Sequence, residues 1–474
     1  MRKNISMYKS SLYNVLIPLK GERTLAYCGA SSALAVWNET ERRIYDLVAG
    51  GGASNAEALT VADNDRHLST VLENLEKGRF VLEERFDERK LADQIVNMAR
   101  YDESWSTITI APTLACNFAC DYCYQNDAAR LGPMSDKTAR ETIEFVKKRT
   151  EGRRGTHVAW YGGEPLLAAD LVLSMSGELA DYCASRNLSY SSMIVTNGYF
   201  LTRRTAERLL AAKTTWAQVT LDGDRPIHNQ RRVLKGGEAS FDRILENVAE
   251  TVQLDGFSVS VRVNIDKRNK DGVEDLLHRL HEAGLSGRKN FSVYFAPVDI
   301  CSQECLRVVN EVMRLDEYAE IETGLIRKAF NMGLACASLP VRLFSLCAAV
   351  KPNGFVVLPN GDVHKCWNTV SYPSMRICGM DAADSIEDSP LYKSWTSDPL
   401  FASAECDKCG ILPNCTGGCA HKARDGLTTS CISLKHNIRE KLVLYAISKE
   451  SITWDDLAER GCLSGEKICE CRSA

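Results

Sequence analysis

The sequence has no apolar run long enough to cross a membrane. Its 474 residues are 45% hydrophobic and 25% charged, and no stretch reaches the roughly 18 to 20 consecutive apolar residues that a membrane-spanning helix needs. The basic start, residues 1–9, is not followed by the apolar segment of a secretory signal. These absences predict a soluble, cytoplasmic protein with no membrane partner.

An excess of one charge, internal repeats and low-complexity linkers are also missing. The chain has 58 Lys and Arg against 62 Asp and Glu, mixed along the sequence, for a net charge of −4. Bulk electrostatics therefore gives no reason to expect a nucleic-acid partner. The length exceeds what one core ordinarily supports, so we expect several domains.

Cysteine, by contrast, is abundant. The chain has 19 cysteines, and in a reducing cytosol clustered thiols are better interpreted as metal ligands than as disulfides. A C-x3-C-x2-C loop is formed by Cys116, Cys120 and Cys123. A second group extends from Cys347 to Cys431.

Short apolar strands alternate with amphipathic helices between residues 107 and 297, which is the pattern of βα units around a parallel sheet. The predicted strands are 107–111, 157–161, 189–195, 217–221, 257–264 and 291–296. Because this is fewer than the eight strands of a closed barrel, the predicted fold class is α/β, with a partial (β/α)6 TIM-like barrel. Its chemistry is expected at the carboxyl ends of the strands.

The residues before the barrel predict a smaller module. Two β-rich stretches within 13–28 flank a turn at Gly21 and predict a hairpin. Asn38 and Glu41 form a capping-box pattern before a helix that Gly50, Gly51 and Gly52 are predicted to end. A second helix with an apolar face at 68–75 leads into a strand. This layout is winged-helix-like.

The three-cysteine loop directly follows the first barrel strand. Three thiolates bind three irons of a [4Fe–4S] cluster and leave the fourth iron without a protein ligand. Zinc binding and chance spacing are the alternatives when the three cysteines are taken alone. The second strand ends in Gly162-Gly163-Glu164-Pro165, at the corresponding edge of the sheet.

Together, the loop, its Tyr122 and the GGEP segment resemble the motifs of the radical S-adenosylmethionine (SAM) superfamily. The resemblance implies that the open iron chelates the amino and carboxylate groups of SAM, and that reductive cleavage gives a 5′-deoxyadenosyl radical. It also implies an external electron donor such as flavodoxin or ferredoxin. By this resemblance, Tyr122 would contact the adenine and the glycine-rich segment would lie near the amino group of SAM. The turn after strand three and polar residues on strand five are weaker candidates for contacts with the ribose or the carboxylate. An ordinary turn and an ordinary strand surface explain these residues equally well. The cofactor-binding candidates are Tyr122, Gly162, Gly163, Glu164, Thr196, Asn197, Arg262 and Asn264.

The cysteines after the barrel resemble the seven-cysteine SPASM domain of radical peptide maturases. They are Cys347, Cys366, Cys406, Cys409, Cys415, Cys419 and Cys431. The resemblance implies two auxiliary [4Fe–4S] clusters, and three clusters in all. An outer cluster would be held by Cys406, Cys409, Cys415 and Cys431, and an inner one by Cys347, Cys366 and Cys419. Two ribbon-type zinc sites are the competing interpretation.

The inner set lacks the eighth cysteine that some SPASM proteins carry. The inner cluster is therefore either open or completed by Cys378 or another outlying cysteine. An open iron would bind a substrate thiolate directly, which suits thioether formation. No role is assigned to Cys301, Cys305, Cys462, Cys469 and Cys471.

Trp367 follows Cys366, where anaerobic sulfatase maturases carry an aspartate base. This departure argues against formation of formylglycine.

The N-terminal module is similar in layout to the leader-binding (RRE-like) elements of ribosomal peptide modification systems, in which a leader peptide adds as a β-strand. A structural cap and a DNA-binding winged helix are the alternatives, and Glu73 and Glu76 on the second helix disfavour DNA. The predicted domains are the module at 1–100, the barrel at 101–335, the SPASM domain at 336–440 and a C-terminal helix and tail at 441–474.

The predicted function is that of a radical SAM oxidoreductase that modifies a precursor peptide bound through its leader. Thioether crosslinking is preferred over carbon–carbon crosslinking. A radical enzyme acting on a non-peptide metabolite is the second hypothesis. A non-catalytic iron–sulfur or zinc protein that senses redox state or binds a partner is the third.

Overall fold

The computed structural model describes residues 8–49, 66–125, 131–335, 337–341, 346–401, 404–426 and 429–458. The glycines predicted to end the first helix, Gly50 to Gly52, lie outside these ranges, as do Cys336, Cys462, Cys469 and Cys471. In the described part of the chain, no helix combines the length and the apolar character needed to cross a bilayer.

In its described residues, the N-terminal module has a three-stranded antiparallel sheet and three helices. Its elements are β1 (Tyr8–Ser10), β2 (Asn14–Pro18), β3 (Thr24–Cys28), β4 (Ala33–Trp37), α1 (Glu39–Ala49), α2 (Arg66–Lys77), β5 (Val81–Glu83) and α3 (Glu88–Arg100). The sheet has the order β2-β3-β4, and β1 pairs separately with β5. The hairpin is present as predicted, and both Gly21 and Glu22 of its turn have positive φ, at 68° and 58°, a region that glycine adopts readily.

The capping box at the start of α1 is also present. The amide of Glu41 donates to Asn38 Oδ1 at 2.9 Å, and the amide of Asn38 donates to Glu41 Oε2 at 2.8 Å. These reciprocal bonds satisfy amide groups that the first helical turn leaves without partners.

The barrel contains all six predicted parallel strands. Its elements are β6 (Trp105–Ile110), α4 (Asp136–Thr150), β7 (Gly155–Trp160), α5 (Ala169–Ser185), β8 (Ser189–Thr196), α6 (Arg203–Ala211), β9 (Thr214–Thr220), α7 (Arg225–Arg231), α8 (Phe241–Thr251), β10 (Ser258–Ile265), α9 (Val273–Glu282), β11 (Phe291–Pro297) and α10 (Leu315–Asn331). The order β11-β10-β9-β8-β7-β6 follows the chain. Each strand therefore ends at the same edge of the sheet, where the loops after β6, β7 and β8 meet.

The cysteine-rich region extends the barrel sheet. Its elements are β12 (Gly354–Val357), β13 (Asp362–His364), β14 (Cys378–Gly379), α11 (Pro390–Ser397), α12 (Leu412–Cys415), α13 (Ala420–Asp425) and α14 (Leu434–Ser448). Strand β12 pairs in parallel with β6, and β13 and β14 continue antiparallel, so the sheet has nine strands among the described residues. The short β12 was not predicted, and it fixes the cysteine-rich region beside the first barrel strand.

The N-terminal sheet lies between two hydrophobic cores. On one side Trp37, Ile44 and Val71 pack with Leu412 of the cysteine-rich region. On the other side, residues of β2 and β3 pack with α14. Helix α14 also spans the predicted boundary at residue 440. The module and the cysteine-rich region therefore share their cores.

Candidate active site

The loop after β6 brings the three predicted thiols together. These thiols are close enough that ionisation of Cys123 would raise the pKa of Cys116, and ionisation of Cys116 or Cys123 would raise the pKa of Cys120. Backbone hydrogen bonds fix the loop to the segment 233–235, since Ala119 N donates to Val233 O at 2.8 Å and Lys235 N to Asn117 O at 2.9 Å. The loop that carries the thiols is thus held by backbone hydrogen bonds to residues 233–235 as well as by its attachment to β6.

Burial keeps these thiols protonated in the free chain. It raises the pKa of Cys116 to about 11 and that of Cys120 to about 12, and it raises the pKa of Cys123 as well. The buried Arg232 opposes this shift at all three thiols. Since metal ligands must be thiolates, metal binding here releases protons, and Arg232 provides positive charge beside the resulting anionic site.

The two glycines of the GGEP segment allow it to pack against the backbone that leads into Cys116. A Cβ on Gly162, which has φ of 129°, would lie 2.2 Å from Thr113 O, and one on Gly163 would lie 2.3 Å from Ala115 O. Glu164 N donates to Ala115 O at 2.8 Å. The glycines therefore have a steric role in addition to the predicted exposure of backbone to SAM.

Glu164 ties the ends of β7 and β8 together. Its fully buried carboxylate accepts hydrogen bonds from Leu166 N at 2.9 Å, Thr196 Oγ1 at 2.8 Å and Asn197 N at 2.7 Å. Burial raises the pKa of this carboxyl, and the three donors oppose the shift. Glu164 is therefore a positioning residue that connects the GGEP segment with the predicted turn after β8.

Asn197 completes this connection to the cysteine loop. Its Nδ2 donates to Asn117 Oδ1 at 2.7 Å and lies 3.9 Å from Cys116 Sγ. The structure thus brings Thr196 and Asn197 to the cysteine site, as expected, with Thr196 acting through Glu164. Direct contact of either residue with SAM remains a prediction.

We expect Glu164→Gln to weaken this junction. The substitution places an amide NH2 against groups that donate to the carboxylate, so at least one buried donor loses its acceptor, at a cost of about 1–3 kcal/mol in unfolding free energy. Thermal unfolding and SAM-binding calorimetry measure the effect. Glu246→Gln, at an exposed position of α8, is the control. An E164Q protein that matches the wild type in both stability and SAM affinity contradicts the proposed positioning role.

Tyr122, Arg262 and Asn264 meet around Asp222. The Tyr122 hydroxyl donates to Asp222 and accepts from Arg232 Nη1 at 2.7 Å. Asn264 N donates to Asp222 Oδ1 at 2.8 Å, and Arg262 Nε donates to Asn264 Oδ1 at 2.8 Å. The predicted residues are therefore brought together, and contact between Tyr122 and adenine remains a prediction.

Asp222 and Arg232 were not predicted as site residues. Asp222 follows β9 at the same sheet edge as the cysteine loop, and this position could have marked it as a candidate. Arg232 carries no comparable sequence signal. It directly follows α7, and only tertiary contacts bring it to Tyr122.

An aromatic contact links the cysteine loop to Trp367. The hydroxyls of Tyr124 and Tyr161 are hydrogen-bonded to each other. The ring of Tyr161 lies 5.1 Å from that of Trp367, centroid to centroid. Trp367 adjoins Cys366, so this contact connects the loop with the inner cysteine set.

The outer cysteine set lines one cavity. Cys406, Cys409, Cys415 and Cys431 surround a volume of ≈ 400 Å³. Burial raises the pKa of Cys415 to about 12, and the charges of the other three thiols act in the same direction. These are the four thiols predicted to share a cluster.

The inner set is likewise brought together. Cys347 and Cys419 lie close enough to Cys366 that their negative charge raises the pKa of its thiol, in addition to the larger effect of burial. The groups that act most strongly on Cys378 are Arg149, Arg376, Asp381 and Asp362, with no thiol among them. The structure therefore groups the three predicted ligands. Cys378 pairs with Val363 on β13, near Cys366, but its thiol interacts most strongly with charged side chains and not with the inner thiols.

The chemistry of these sites suits iron–sulfur clusters. Every cysteine in the described ranges is a free thiol, and thiolates are the usual ligands of [4Fe–4S] clusters. Within the same ranges, no three His, Cys, Asp or Glu side chains are arranged to hold a single metal ion. The thiol groups of three, three and four could each hold a [4Fe–4S] cluster, and each group of three leaves one iron without a ligand from its own set.

Comparison with known proteins identifies the barrel. Residues 110–295 match the sequence model of the Radical SAM superfamily. This segment runs from the last residue of β6 into β11 and includes the cysteine loop and the GGEP segment. The predicted superfamily is confirmed for this segment.

Individual relatives are distant. The chain is 26% identical over 199 residues to the Fe-coproporphyrin III synthase of Methanosarcina barkeri, covering 41% of this chain and 45% of the relative. It is 30% identical over 141 residues to a serine-type anaerobic sulfatase-maturating enzyme of Bacteroides thetaiotaomicron, covering 28% and 33%. The chain thus spans less than half the length of these two relatives. It is 24% identical over 385 residues to the radical SAM cyclopropyl synthase TigE of Paramaledivibacter caminithermalis, covering 75% and 77%.

Two solved structures share the fold. The structure of anSMEcpe with bound AdoMet and Cp18Cys peptide has a TM-score of 0.56 at 19% identity, covering 73% of this chain and 97% of that one. Streptococcus suis SuiB bound to precursor peptide SuiA has a TM-score of 0.51 at 15% identity, covering 90% and 98%. Both structures contain a peptide.

Proposed function

We propose that this protein is a radical SAM enzyme that modifies a ribosomally made precursor peptide with the help of two auxiliary [4Fe–4S] clusters. The observation that carries the proposal is the grouping of the motif cysteines into three separate thiol sets, one of them beside the GGEP segment. The two peptide-bound proteins of the same fold support a peptide substrate. Thioether crosslinking is the proposed reaction, and carbon–carbon crosslinking is the alternative bond.

The residues around the first thiol set have separable tasks. Bound there, a [4Fe–4S] cluster and SAM would supply a 5′-deoxyadenosyl radical for hydrogen abstraction. Cys116, Cys120 and Cys123 would hold the cluster, and Gly162 and Gly163 bring backbone close to it. Glu164 fixes this segment to the end of β8, while Arg232 balances negative charge. Cys120 is buried and Cys116 and Cys123 are half-buried, which limits the access of water to the reacting groups.

A second candidate function rests on one relative. The match to Fe-coproporphyrin III synthase favours a non-peptide metabolite as the alternative substrate.

The first experiment asks whether the chain cleaves SAM. Protein purified and reconstituted without oxygen should contain about twelve irons per chain, as three cubane clusters require. After reduction it should release 5′-deoxyadenosine from SAM. Bound zinc with no cleavage would instead support the non-catalytic sensor hypothesis.

The second experiment identifies the substrate class. A synthetic peptide encoded by a short open reading frame beside the gene is incubated with the reduced enzyme and SAM. A thioether product has lost two hydrogen atoms and its cysteine no longer reacts with iodoacetamide, whereas a carbon–carbon crosslink leaves the thiol reactive. An unchanged peptide together with turnover of a porphyrin would favour the metabolite hypothesis.

The N-terminal module offers an edge for the leader. Within the described ranges, β4 pairs only with β3, so its other edge is open to strand addition. Leu34 and Val36 pack toward one core and Ala33 and Ala35 toward the other. The leader would therefore bind through the backbone of β4. Because the same sheet packs against the cysteine-rich region, deletion of the module would expose shared core and is unsuitable as a test.

Hydrogen exchange tests this edge in the intact chain. We expect the synthetic precursor peptide to slow amide exchange in β4 by about tenfold or more, since new inter-strand hydrogen bonds close the exposed amides. The opposite edge strand, β2, is the internal control and should not change. Equal protection of both strands, or protection of neither, contradicts binding at β4.

A further inference from the structure

The segment after β11 connects the two predicted cluster sites. Toward the first site, Arg307 Nε donates to Asp121 O of the cysteine loop at 2.6 Å. Toward the inner set, Cys301 O accepts from His421 Nε2 at 2.6 Å, and Asp299 is ion-paired with Lys422. The residues 299–307 thus form a strap between the cysteine loop and the residues that follow Cys419.

A further hydrogen bond fixes the middle of this strap. Gln303 N donates to the hydroxyl of Tyr372 at 2.8 Å. Tyr372 follows Cys366 within the same segment of the cysteine-rich region. Contacts therefore hold the strap beside two ligands of the inner set, Cys366 and Cys419.

The strap carries two thiols that no motif explains. The Sγ atoms of Cys301 and Cys305 are 3.6 Å apart. They have different neighbours, because Cys301 lies in the field of Cys366 whereas Cys305 acts on Cys123. Of the two, Cys301 interacts with a thiol of the inner set and Cys305 with a thiol of the first set. Cys301 also interacts with Tyr124 and Tyr161, which link the cysteine loop to Trp367.

We propose that Cys301 is the fourth thiolate ligand of the inner auxiliary cluster, beside Cys347, Cys366 and Cys419. The inference rests on the auxiliary clusters of the proposed function. Binding forms one Fe–S bond and breaks the S–H bond of Cys301, whose proton passes to solvent, so no oxidant or reductant is consumed. Three contacts hold the strap that carries Cys301 beside the inner set. Cys378 also lies near this set, because β14 pairs with β13 and aligns Cys378 with Val363, but the groups that act most strongly on its thiol are charged side chains and not cysteines.

This assignment changes how the inner cluster can act. A cluster with four protein thiolates carries electrons but has no free iron for a substrate sulfur. Thioether formation through direct binding of that sulfur then requires Cys301 to leave. Without its departure, the crosslink must form with the substrate sulfur held elsewhere.

The test isolates the auxiliary clusters in the full-length chain. In a background of Cys116→Ala, Cys120→Ala and Cys123→Ala, about eight irons per chain should remain. Cys301→Ala, Cys301→Ser, Cys305→Ala and the double variant C301A/C305A are added to this background, since Cys305 is close enough to replace Cys301 as a ligand. Cys378→Ala and Cys183→Ala are matched controls. Circular dichroism verifies the fold of each variant, and C301S keeps the side-chain size.

The readouts are iron content and the Mössbauer and electron paramagnetic resonance spectra before and after mild ferricyanide oxidation. We expect C301A/C305A to lose one iron from the inner cluster on oxidation, giving a [3Fe–4S] signal, or to lose that cluster entirely. The C378A and C183A controls should keep the spectra of the background. C301A and C301S should show a changed inner-cluster spectrum even where Cys305 substitutes.

The outcomes separate this inference from the proposed function. If C301A, C301S and C301A/C305A all keep the background spectra, or if C378A alone changes them, Cys301 is not the ligand. A change that appears with C305A and not with C301A also overturns the assignment. If the background binds no auxiliary iron at all, the proposed function itself fails at its auxiliary clusters.

Discussion

Replacement of Cys116, Cys120 and Cys123 by alanine is expected to abolish release of 5′-deoxyadenosine while about eight of about twelve irons remain per chain. The three thiols form one group at the end of β6, apart from the inner and outer sets. Their removal should therefore eliminate one cluster and leave two. Iron analysis and chromatography of SAM products after reduction measure both quantities.

The control for this variant is Cys183→Ala. Cys183 is buried on α5, and burial is the cause of its raised pKa, so its removal leaves the thiol sets intact. The control should retain all its iron and its SAM cleavage. A triple variant that still released 5′-deoxyadenosine would show that the cleavage site lies elsewhere in the chain.

Gly163→Ala is expected to have a large effect for the addition of a single methyl group near the site. The new Cβ would lie 2.3 Å from Ala115 O and 2.4 Å from Leu114 O. Because both contacts are with backbone, the chain next to Cys116 must shift. We expect a loss of about 1–3 kcal/mol in unfolding free energy and a fall of about 100-fold in the rate of SAM cleavage, since small displacements at reacting groups have large kinetic effects.

Gly177→Ala is the matched control. Gly177 lies within α5, and nothing lies within 4 Å of a Cβ placed there. Alanine favours a helix over glycine by about 1 kcal/mol, so G177A should be at least as stable as the wild type and equally active. Denaturant unfolding and initial rates compare the two variants. Equal stability and rates for G163A and G177A would contradict the tight packing at Gly163.

Regular patterns in the sequence predicted much of the fold. The six barrel strands repeat with intervening helices, so each pattern supports its neighbours. The hairpin turn and the capping box depend on local contacts that short stretches of sequence record, as Asn38 and Glu41 show. The cysteine sets could be predicted because their spacings are characteristic of ligands.

Features formed by distant parts of the chain could not be predicted in this way. Strand β12 is only four residues long and owes its place to pairing with β6. Strand β4 has half-buried residues on both faces, so it lacks the alternation that marks a strand with one solvent face. Arg232 and the strap at 299–307 reach the site through tertiary contacts that leave no local pattern.

The central claim is that the cluster held by Cys116, Cys120 and Cys123 has an iron to which SAM binds directly. Electron–nuclear double resonance on the reduced enzyme tests it, with SAM carrying ¹⁷O in the carboxylate or ¹⁵N in the amino group. We predict strong hyperfine coupling from both labels, and its loss when the three cysteines are replaced by alanine. A fully loaded, reduced wild-type cluster that shows no coupling to either label would contradict the account.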